Sequence, residues 1–191
     1  MTINTLALPV STQAQLLVDG DAVPPAGHAV RAWIGLGANL GDRGHVMAQA
    51  LQRLHAKHGV AVEQVSSLYA SKPVDSDGPD YLNAVAQLVT RLPAHALLLE
   101  LQQLELSAGR ERPYRNAPRT LDLDVLLYAD LGVQIALPDL QVPHPRMWQR
   151  AFVLAPLQEL QPAWVSDAQL QPLLMQGVVR SQGSQWVALG T

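Results

Sequence analysis

The 191-residue sequence predicts an α+β fold in which helices pack against one antiparallel sheet. Segments whose apolar residues alternate, as they do in strands, are separated by segments in which they recur at helical spacing. Read in order, these segments are strand, helix, strand, strand, helix and strand. The two adjacent strands in the middle break the regular strand–helix alternation of a doubly wound fold. The order is instead βαββαβ, the split βαβ arrangement of a ferredoxin-like sheet.

The first three predicted elements are a short apolar strand, a helix and a second strand, and a Pro- and Asp-rich loop follows them. A strand is predicted at A-W-I-G-L-G, which begins at Ala32 and is ended by the turn A-N-L-G-D. A helix is predicted over residues 43–57, because apolar residues recur on one of its faces. They are Val46, Ala50, Leu51 and Leu54. The segment V-A-V-E-Q-V-S-S-L-Y, from Val60 to Tyr69, then predicts a single strand.

The second half begins with a strand over residues 81–92. Pro93 at a helix start and Gly109 at a helix end delimit a second helix over 94–108. The residues that recur at helical spacing along it are Leu97, Leu98, Leu101, Leu104 and Glu105. The strand Leu121–Tyr128 completes the predicted sheet.

Outside this order the sequence is less regular. A further helix is predicted over residues 147–160 and a short one over 167–176. Residues 1–30 mix short apolar pieces with a Pro-Pro pair and a glycine, and none of them suggests chemistry. We therefore predict an N-terminal extension of unknown role over 1–30 and a single domain over 31–191.

Composition excludes several classes of function. Hydrophobic residues make up 48% and charged residues 15% of the chain, which is typical of a globular protein. A net charge of −3 argues against a general nucleic-acid binder, because such proteins present a basic face to phosphates. The chain has no cysteine, so disulfides and thiol nucleophiles are excluded. No signal-peptide pattern or membrane-spanning apolar run is present, so a cytoplasmic location is expected.

The segment R-E-R-P-Y-R-N-A-P-R-T-L-D-L-D, from Arg110 to Asp124, carries the strongest chemical signal. Its four arginines are followed by Asp122 and Asp124 at the start of an apolar strand. Residues two apart on a strand point to the same side, about 6.6 Å apart, so the carboxylates repel each other without a cation. Mg²⁺ is the natural candidate, because it leaves positions open for phosphate oxygens. The pattern predicts a site for a metal-bound polyphosphate. The alternative is a solvated arginine loop that leads into an ordinary strand.

Three further motifs have both a structural and a functional interpretation. G-L-G-A-N-L-G either forms a tight turn in which Asn39 or Asp42 caps a helix, or lets a ligand approach the backbone closely. The amide of Asn83 suits the edge of a heterocycle, or belongs to an ordinary strand residue. His144 lies between two prolines, and Phe152 is the only phenylalanine. A structural role is open for both of them.

Read together, four segments closely resemble the 6-hydroxymethyl-7,8-dihydropterin pyrophosphokinase family. They are G-L-G-A-N-L-G-D, P-D-Y-L-N-A-V, G-R-E-R-P-Y-R-N-A-P-R-T-L-D-L-D and V-P-H-P-R-M-W-Q-R-A-F-V-L, and they span about residues 33–160. The resemblance implies a ferredoxin-like α+β fold. It also implies an ATP-dependent diphosphotransferase of folate biosynthesis, which moves a diphosphate from ATP to the hydroxymethyl oxygen of the pterin and releases AMP.

The resemblance implies roles for individual residues. Asp122 and Asp124 would hold two Mg²⁺ ions with ATP, and the catalytic Arg110 and Arg119 would neutralise charge on the transferred group. The residues implied to bind ATP are Gln102, Glu105, Arg110, Arg112, Arg119, Val125, His144 and Arg150. Those implied to bind the pterin are Gly37, Ser71, Lys72, Val74, Tyr81, Asn83, Asp122 and Phe152, the last by stacking. The implied partners are these two small molecules, without nucleic acid or membrane, and a monomer is expected.

The sequence also departs from the family pattern, and other interpretations stay open. Asn116 stands where a tryptophan can occur, and Pro145 replaces an aromatic that can follow the histidine. A ferredoxin-like sheet also serves as a non-catalytic nucleotide- or RNA-binding module. Another Mg²⁺-dependent nucleotidyl or phosphoryl transferase could use the same pair of aspartates.

Overall fold

The computed structural model describes residues 28–73, 78–109, 119–129, 131 and 133–189. The strands are β1 Val30–Ala38, β2 Val60–Val65, β3 Leu68–Ser71, β4 Tyr81–Thr90, β5 Asp122–Tyr128, β6 Ile135–Ala136, β7 Gln141–Val142 and β8 Val179–Gln182. The α-helices are α1 Arg43–His55, α2 Ala94–Ser107, α3 Ala151–Leu160 and α4 Asp167–Leu170. Short 3₁₀ turns lie at Met147–Gln149, Gln171–Gln176 and Ser184–Trp186.

The main sheet is antiparallel throughout. Its strands lie in the order β5, β1, β4, β3 and β8, and β2 also pairs with β4. The strands β6 and β7 form a separate hairpin. The strands of the predicted βαββαβ order therefore lie side by side as fourth, first, third and second, as in a ferredoxin-like sheet. The predicted antiparallel α+β fold is confirmed.

The strand predicted from Val60 to Tyr69 is interrupted in the structure. Ser66 and Ser67 lie between β2 and β3 and are fully buried. The Ser66 N–H donates to the Val85 carbonyl at 2.9 Å, and its Oγ accepts from the Val85 N–H at 3.0 Å. A serine hydroxyl that takes the place of a main-chain acceptor can break a strand. The break needs no proline or glycine, which is why composition does not predict it.

The sheet carries an apolar core on each face. On β1, Ile34 and Leu36 belong to the core beneath α1 and α2, whereas Trp33 belongs to the core beneath α3. The next positions of β1 on the α3 face are Gly35 and Gly37. On this face, β1 therefore contributes a large side chain at one end and none at the other.

The helix boundaries follow local signals. The Asp42 side chain caps α1 by accepting from the His45 N–H at 3.1 Å. Gly109 follows α2 with φ at +77°, a conformation that favours glycine. The buried face of α2 carries Glu105 together with apolar residues, as its spacing predicts. In the part of the chain that the structure describes, no helix is long and apolar enough to cross a membrane.

The C-terminal third differs most from the prediction. The helix predicted over 147–160 is a 3₁₀ turn followed by α3, because Arg150 between them is extended at φ −116° and ψ 109°. The helix predicted over 167–176 is α4 followed by a 3₁₀ turn that ends at Gly177. The sequence does not predict β8, because all four of its residues are exposed and show no apolar alternation. It joins the sheet through main-chain pairing with β3.

We predict that Tyr128→Phe lowers stability and leaves the site described below unaffected. The Tyr128 hydroxyl donates to the Leu92 carbonyl at 2.7 Å, and the side chain is 2% exposed. Burial raises the pKa of Tyr128 to about 12, so the hydroxyl stays protonated and able to donate. Loss of this bond should reduce the free energy of unfolding by about 1 kcal/mol. Thermal unfolding measures the change, and an unaltered melting temperature would contradict the prediction.

Candidate active site

Three neighbouring strands bring predicted site residues into one row. In the register of the sheet, Gly37 of β1 lies between Asn83 of β4 and Asp122 of β5. Asp124 lies two residues after Asp122 and therefore on the same face. This is the α3 face, because Leu126 at the next alternating position belongs to the core beneath α3. The structure thus places both aspartates on one side of β5, as their spacing predicts.

Gly37 forms the floor of this row. A Cβ atom added at Gly37 would lie 3.6 Å from Asn83 Oδ1 and 3.9 Å from Asp122 Cβ. The missing side chain therefore leaves a space between an amide and a carboxylate. The Asn83 Nδ2 donates to the Tyr69 carbonyl at 3.2 Å and to Ser71 Oγ at 3.0 Å. These two bonds fix the amide so that its Oδ1 faces the space above Gly37.

Tyr81 lies close to the charged groups, whereas Lys72 does not face them. Burial raises the pKa of Tyr81. The charge of Arg119 lowers this pKa and the charge of Asp122 raises it further. The phenol is therefore within electrostatic reach of both residues. The Lys72 side chain is 75% exposed, and its Nζ lies 3.1 Å from Asp80 Oδ1. The structure pairs this ammonium with the loop before β4.

The two aspartates form an incompletely solvated pair of like charges. Loss of solvation and the neighbouring Asp122 raise the pKa of Asp124. The basic side chains of His144, Arg150 and Arg119 act against this rise without cancelling it. Two carboxylates on one face fit Mg²⁺, which takes one or two protein carboxylates beside phosphate oxygens. Over the described ranges, no three His, Cys, Asp or Glu side chains are grouped to hold a metal ion.

Arg119 is fixed through its main chain and paired through its side chain. Its N–H donates to Asn39 Oδ1 at 2.7 Å, and the Asn39 N–H donates to the Arg119 carbonyl at 3.0 Å. The Arg119 guanidinium contacts the Asp122 carboxylate. Burial lowers the pKa of Arg119, but the charge and hydrogen bond of Asp122 outweigh burial and leave this pKa raised. The guanidinium therefore stays charged beside the aspartates.

The sequence does not predict this role of Asn39, which the motif suggests only as a helix cap. Asn39 is 4% exposed, and its Nδ2 also donates to the Pro79 carbonyl at 3.4 Å. It therefore connects the end of β1 with the loops that precede β4 and β5. An asparagine between glycines indicates bonding to the backbone, but its partner Arg119 is 80 residues away in sequence.

His144 approaches the aspartates from the segment before α3. Its Nε2 lies 3.9 Å from Asp124 Oδ2, and its main-chain N–H donates to the Leu126 carbonyl at 2.9 Å. The Nδ1 accepts from the Arg146 N–H at 3.2 Å, so the neutral ring carries its proton on Nε2, facing Asp124. Burial lowers the pKa of His144, although Asp124 acts in the opposite direction.

Arg150 and Phe152 stand together at the start of α3. The Arg150 Cζ lies 5.4 Å from the Phe152 ring centroid, within the range of a cation–π contact. Burial lowers the pKa of Arg150. Phe152 is half-buried and packs against the core beneath α3. The ring is therefore neither fully buried nor fully exposed.

Three residues predicted to bind ATP lie on the opposite face of the sheet. Glu105 is 3% exposed, and its Oε1 accepts from the Leu123 N–H at 2.7 Å, which holds the main chain between the two aspartates. Val125 is 3% exposed within the core beneath α1 and α2. The Val125 side chain therefore points away from the aspartates, so a contact with ATP would come from its main chain, and its role in binding ATP stays a prediction. Gln102 is half-buried, one turn before Glu105 on α2.

Several predicted site residues fall outside the described part of the chain. They are Val74, Arg110 and Arg112, together with Arg115 and Asn116 of the same arginine loop. Their roles stay predictions.

Comparison with known proteins gives a family and several relatives. The model of the 7,8-dihydro-6-hydroxymethylpterin-pyrophosphokinase (HPPK) family matches residues 33–162. The 2-amino-4-hydroxy-6-hydroxymethyldihydropteridine pyrophosphokinase of Bacillus subtilis is 44% identical over 130 residues, which are 68% of this chain and 77% of that protein. The mitochondrial folate synthesis bifunctional protein of Arabidopsis thaliana is 43% identical over 66% of this chain, which spans 23% of that protein's length.

Solved structures give the same fold at lower identity. A Plasmodium falciparum HPPK-DHPS structure superposes with a TM-score of 0.60 at 12% identity, covering 86% of this chain and 46% of that one. At this identity the likeness shows the fold alone. The family match covers the greater part of the chain, and the Bacillus subtilis relative is similar over most of its own length. The chain therefore belongs to the 7,8-dihydro-6-hydroxymethylpterin-pyrophosphokinase family, whose reaction is pyrophosphoryl transfer from ATP to hydroxymethyldihydropterin in folate biosynthesis.

Proposed function

We propose that this chain performs its family's reaction on the row around Gly37, transferring a diphosphate from ATP to the hydroxymethyl oxygen of the dihydropterin and releasing AMP. The observation that supports this most directly is the placement of Gly37 between Asn83 and Asp122. An amide suited to a heterocycle and a carboxylate suited to a metal-bound phosphate stand on either side of an open floor. The reaction needs this adjacency, because the pterin oxygen must meet the phosphorus of ATP in a defined geometry.

We propose that Asp122 and Asp124 hold two Mg²⁺ ions bound with ATP. The ions, when bound, neutralise phosphate charge and polarise the transferred group. The raised pKa of Asp124, caused by poor solvation and by Asp122, supports this assignment. A dication between the carboxylates would replace their repulsion with attraction.

The pterin pocket is proposed to lie between Asn83 and Phe152. The Asn83 Oδ1 would accept from the N–H groups of the pterin edge, since its Nδ2 is already bonded to β3. Ser71 orients this amide, and the Phe152 ring would stack on the pterin. The other residues proposed for this pocket are Lys72, Val74, Tyr81 and Asp122.

Arg119 is proposed to stabilise the charge that develops on the transferred group. Asn39 holds its main chain, while its guanidinium contacts Asp122, which belongs to the proposed metal site. A change of side-chain torsion alone would move this guanidinium from a carboxylate to a phosphate, and both groups accept its two-pronged hydrogen bonds. The other residues proposed for the nucleotide are Gln102, Glu105, Arg110, Arg112, His144, Arg150 and the main chain of Val125.

We further propose a cytoplasmic monomer that acts on these two small molecules without nucleic-acid or membrane partners. An RNA-binding sheet of this shape presents aromatic side chains on its central strands. Here β1 and β4 carry Gly35, Gly37 and Asn83 on the face that holds the aspartates. The aromatic residues of these strands on that face are Trp33, which is buried beneath α3, and Tyr81, which lies beside Arg119 and Asp122. The net charge of −3 also opposes general binding to phosphate backbones.

Product analysis after incubation with ATP, Mg²⁺ and 6-hydroxymethyl-7,8-dihydropterin tests the proposed function. We expect AMP and a pterin diphosphate in equal amounts. The appearance of ADP as the nucleotide product would indicate transfer of a single phosphoryl group and would contradict the proposal. So would unchanged ATP in the presence of both Mg²⁺ and the pterin.

We predict that Asp122→Ala or Asp124→Ala nearly abolishes turnover while the protein stays folded. Saturating Mg-ATP should stabilise the wild type by about 2.7 kcal/mol at a hundred times its Kd, and either variant much less. Thermal melts with and without Mg-ATP measure this difference. Asp139→Ala is the matched control, because Asp139 is a surface carboxylate paired with His95 at 3.0 Å. Near-normal turnover in either site variant would refute the metal-ligand role.

Gly37→Ala is predicted to impair pterin binding without unfolding the protein. The added methyl would meet neighbours at 3.6 and 3.9 Å, which are ordinary contacts, but it would fill the proposed floor of the pocket. We expect the KM for the pterin to rise at least about tenfold while the Kd for ATP changes little. Gly44→Ala is the control, because its added methyl meets no atom within 4 Å. Equal pterin KM values for the two variants would contradict this prediction.

Arg119→Ala is predicted to lower the chemical step by orders of magnitude while shifting ATP affinity only slightly. The charge matters most when the bond to the leaving AMP breaks. Arg119→Lys should restore little, because a point charge cannot reproduce a two-pronged guanidinium contact. Arg115→Ala, in the middle of the arginine loop, should be tolerated. Single-turnover rates and ATP affinities, measured on the same variants, check this prediction. If Arg119→Ala lowers both in equal proportion, Arg119 acts by binding ATP in the ground state and the prediction is wrong.

A further inference from the structure

A second polar cluster lies on the α3 face, away from the aspartates, and has Glu159 at its centre. The Glu159 carboxylate accepts from the Ser67 N–H at 3.1 and 3.2 Å and from the Ser67 hydroxyl at 2.9 Å. It also accepts from the Tyr69 hydroxyl at 3.0 Å. Burial and the hydrogen bond to Glu159 raise the pKa of Tyr69 to about 12, so this donor keeps its proton. One carboxylate therefore ties α3 to the start of β3.

The C-terminal strand closes this cluster from the other side. Arg180 of β8 donates from Nε to Ser67 Oγ at 2.8 Å, and its Nη2 lies 3.7 Å from Glu159 Oε1. Arg180 is also the register partner of Tyr69 in the β3–β8 pair. The Trp186 indole N–H donates to the Ser66 carbonyl at 2.8 Å. These C-terminal residues lie beyond residues 33–162, where the family match ends.

The cluster joins the two walls of the proposed pterin pocket. Glu159 lies seven residues after Phe152 on α3, about 10.5 Å along the same side of the helix. The β3 strand bears Ser71 and the Tyr69 carbonyl, which together orient the Asn83 amide. The wall formed by Phe152 belongs to α3, the helix that carries Glu159. The wall formed by Asn83 is oriented by β3, the strand to which Glu159 is bonded.

The first turn of α3 has one main-chain hydrogen bond fewer than a regular helix. Pro156 lies inside the helix and has no N–H to donate to the carbonyl of Phe152, four residues earlier. The N-cap residue Arg150 makes no capping hydrogen bond, and the Ala151 N–H donates instead to Gln176 Oε1 at 3.0 Å. The helix's own hydrogen bonds therefore hold Phe152 less firmly, so its position depends on the contacts of α3 with Gln176 and with the sheet.

We propose that Glu159 is a positioning residue for the pterin, which sets the separation of the Phe152 ring from the Asn83 amide, and that Arg180 of β8 completes this support. The inference rests on the proposed function, because it assigns the pterin to the space between these two walls. Neither residue contacts the transferred phosphates in this arrangement. Substitution of either residue should therefore weaken pterin binding and leave ATP binding unchanged.

Steady-state kinetics on Glu159→Ala and Glu159→Gln test the proposal. We expect Glu159→Ala to raise the KM for the pterin at least about tenfold and to leave the Kd for ATP within about twofold of wild type. Glu159→Gln should restore part of the loss, since one oxygen can still accept from Ser67. Arg180→Ala, which opens the cluster from the β8 side, should shift the pterin KM in the same direction. This variant and Glu159→Gln decide the question if Glu159→Ala does not fold.

Glu63→Ala is the matched control for a general loss of stability. Glu63 accepts from Gln87 Nε2 at 2.7 Å and lies 3.5 Å from Arg31 Nε, so it is also a carboxylate between an amide and a guanidinium. Glu63 itself has no bond to β3 or α3 in the described contacts, and its only link to α3 there is through Gln87, whose Oε1 accepts from Gln161 Nε2 after the end of that helix at 2.8 Å. If Glu63→Ala raises the pterin KM as much as Glu159→Ala at an equal loss of melting temperature, the proposal is overturned. An equal rise in the ATP Kd of the Glu159 variants would overturn it as well.

The wild type is assayed first, so that a failure of the proposed function can be distinguished from a failure of the proposed role of Glu159. If wild type forms AMP and pterin diphosphate while the Glu159 variants keep its pterin KM, the positioning role is wrong and the function stands. If wild type forms neither product, fluorescence titration with the pterin alone gives a Kd for each variant. Weaker binding in Glu159→Ala than in Glu63→Ala then supports the positioning role without the reaction, and equal binding overturns it.

Discussion

The row of Asn83, Gly37 and Asp122, with Asp124 beside it, depends on the alternation of side chains across one antiparallel sheet. On β5, Leu123 and Val125 enter the core beneath α1 and α2, which leaves Asp122 and Asp124 on the opposite face. A register slip of one residue would exchange the two sets, burying both carboxylates in an apolar core. That cost is large, because an unpaired buried charge is among the most unfavourable groups in a folded protein. The apolar core on one face therefore fixes the position of the charges on the other.

Glu105 and Asn39 are buried and hold the main chain of the site, whereas the side chains of Arg119, Asp122 and Asp124 are partly exposed. Glu105 bonds the amide of Leu123 from beneath the sheet, and Asn39 bonds both main-chain groups of Arg119. In contrast, the Arg119 guanidinium rests on Asp122, a neighbour three residues away. The backbone geometry is thus specified by contacts that a ligand does not need to break. The ion pair on top of it can be exchanged for a ligand's charges at little cost to the fold.

The features that the sequence predicts are those determined by local periodicity. The strand and helix order, the shared face of Asp122 and Asp124, the inward Glu105 and the helix end at Gly109 all follow from spacing within one element. The break at Ser66, the edge strand β8 and the pairing of Asn39 with Arg119 depend on residues 19 to 114 positions apart. A single sequence carries no signal for such pairs, since a serine or an asparagine is compatible with many partners. The burial of the Val125 side chain does follow from alternation, because Val125 is adjacent to Asp124 on β5 and therefore takes the opposite face.

The electrostatics of the site favour a ligand that brings charges of both signs. Asp124 and His144 face each other, and a dominant attraction would lower the pKa of the first and raise that of the second. Both pKa values move in the opposite direction, with loss of solvation as the leading cause. Burial likewise lowers the pKa of Arg150. Asp124, His144 and Arg150 therefore lie together without fully satisfying one another, whereas Arg119 is paired with Asp122. A polyphosphate bound to a dication supplies anionic oxygens to the arginines and a cation to the aspartates. It therefore neutralises the positive and the negative side chains of the site together. A free phosphate would satisfy the arginines alone and a free dication the aspartates alone, which is the physical reason that this surface suits their complex.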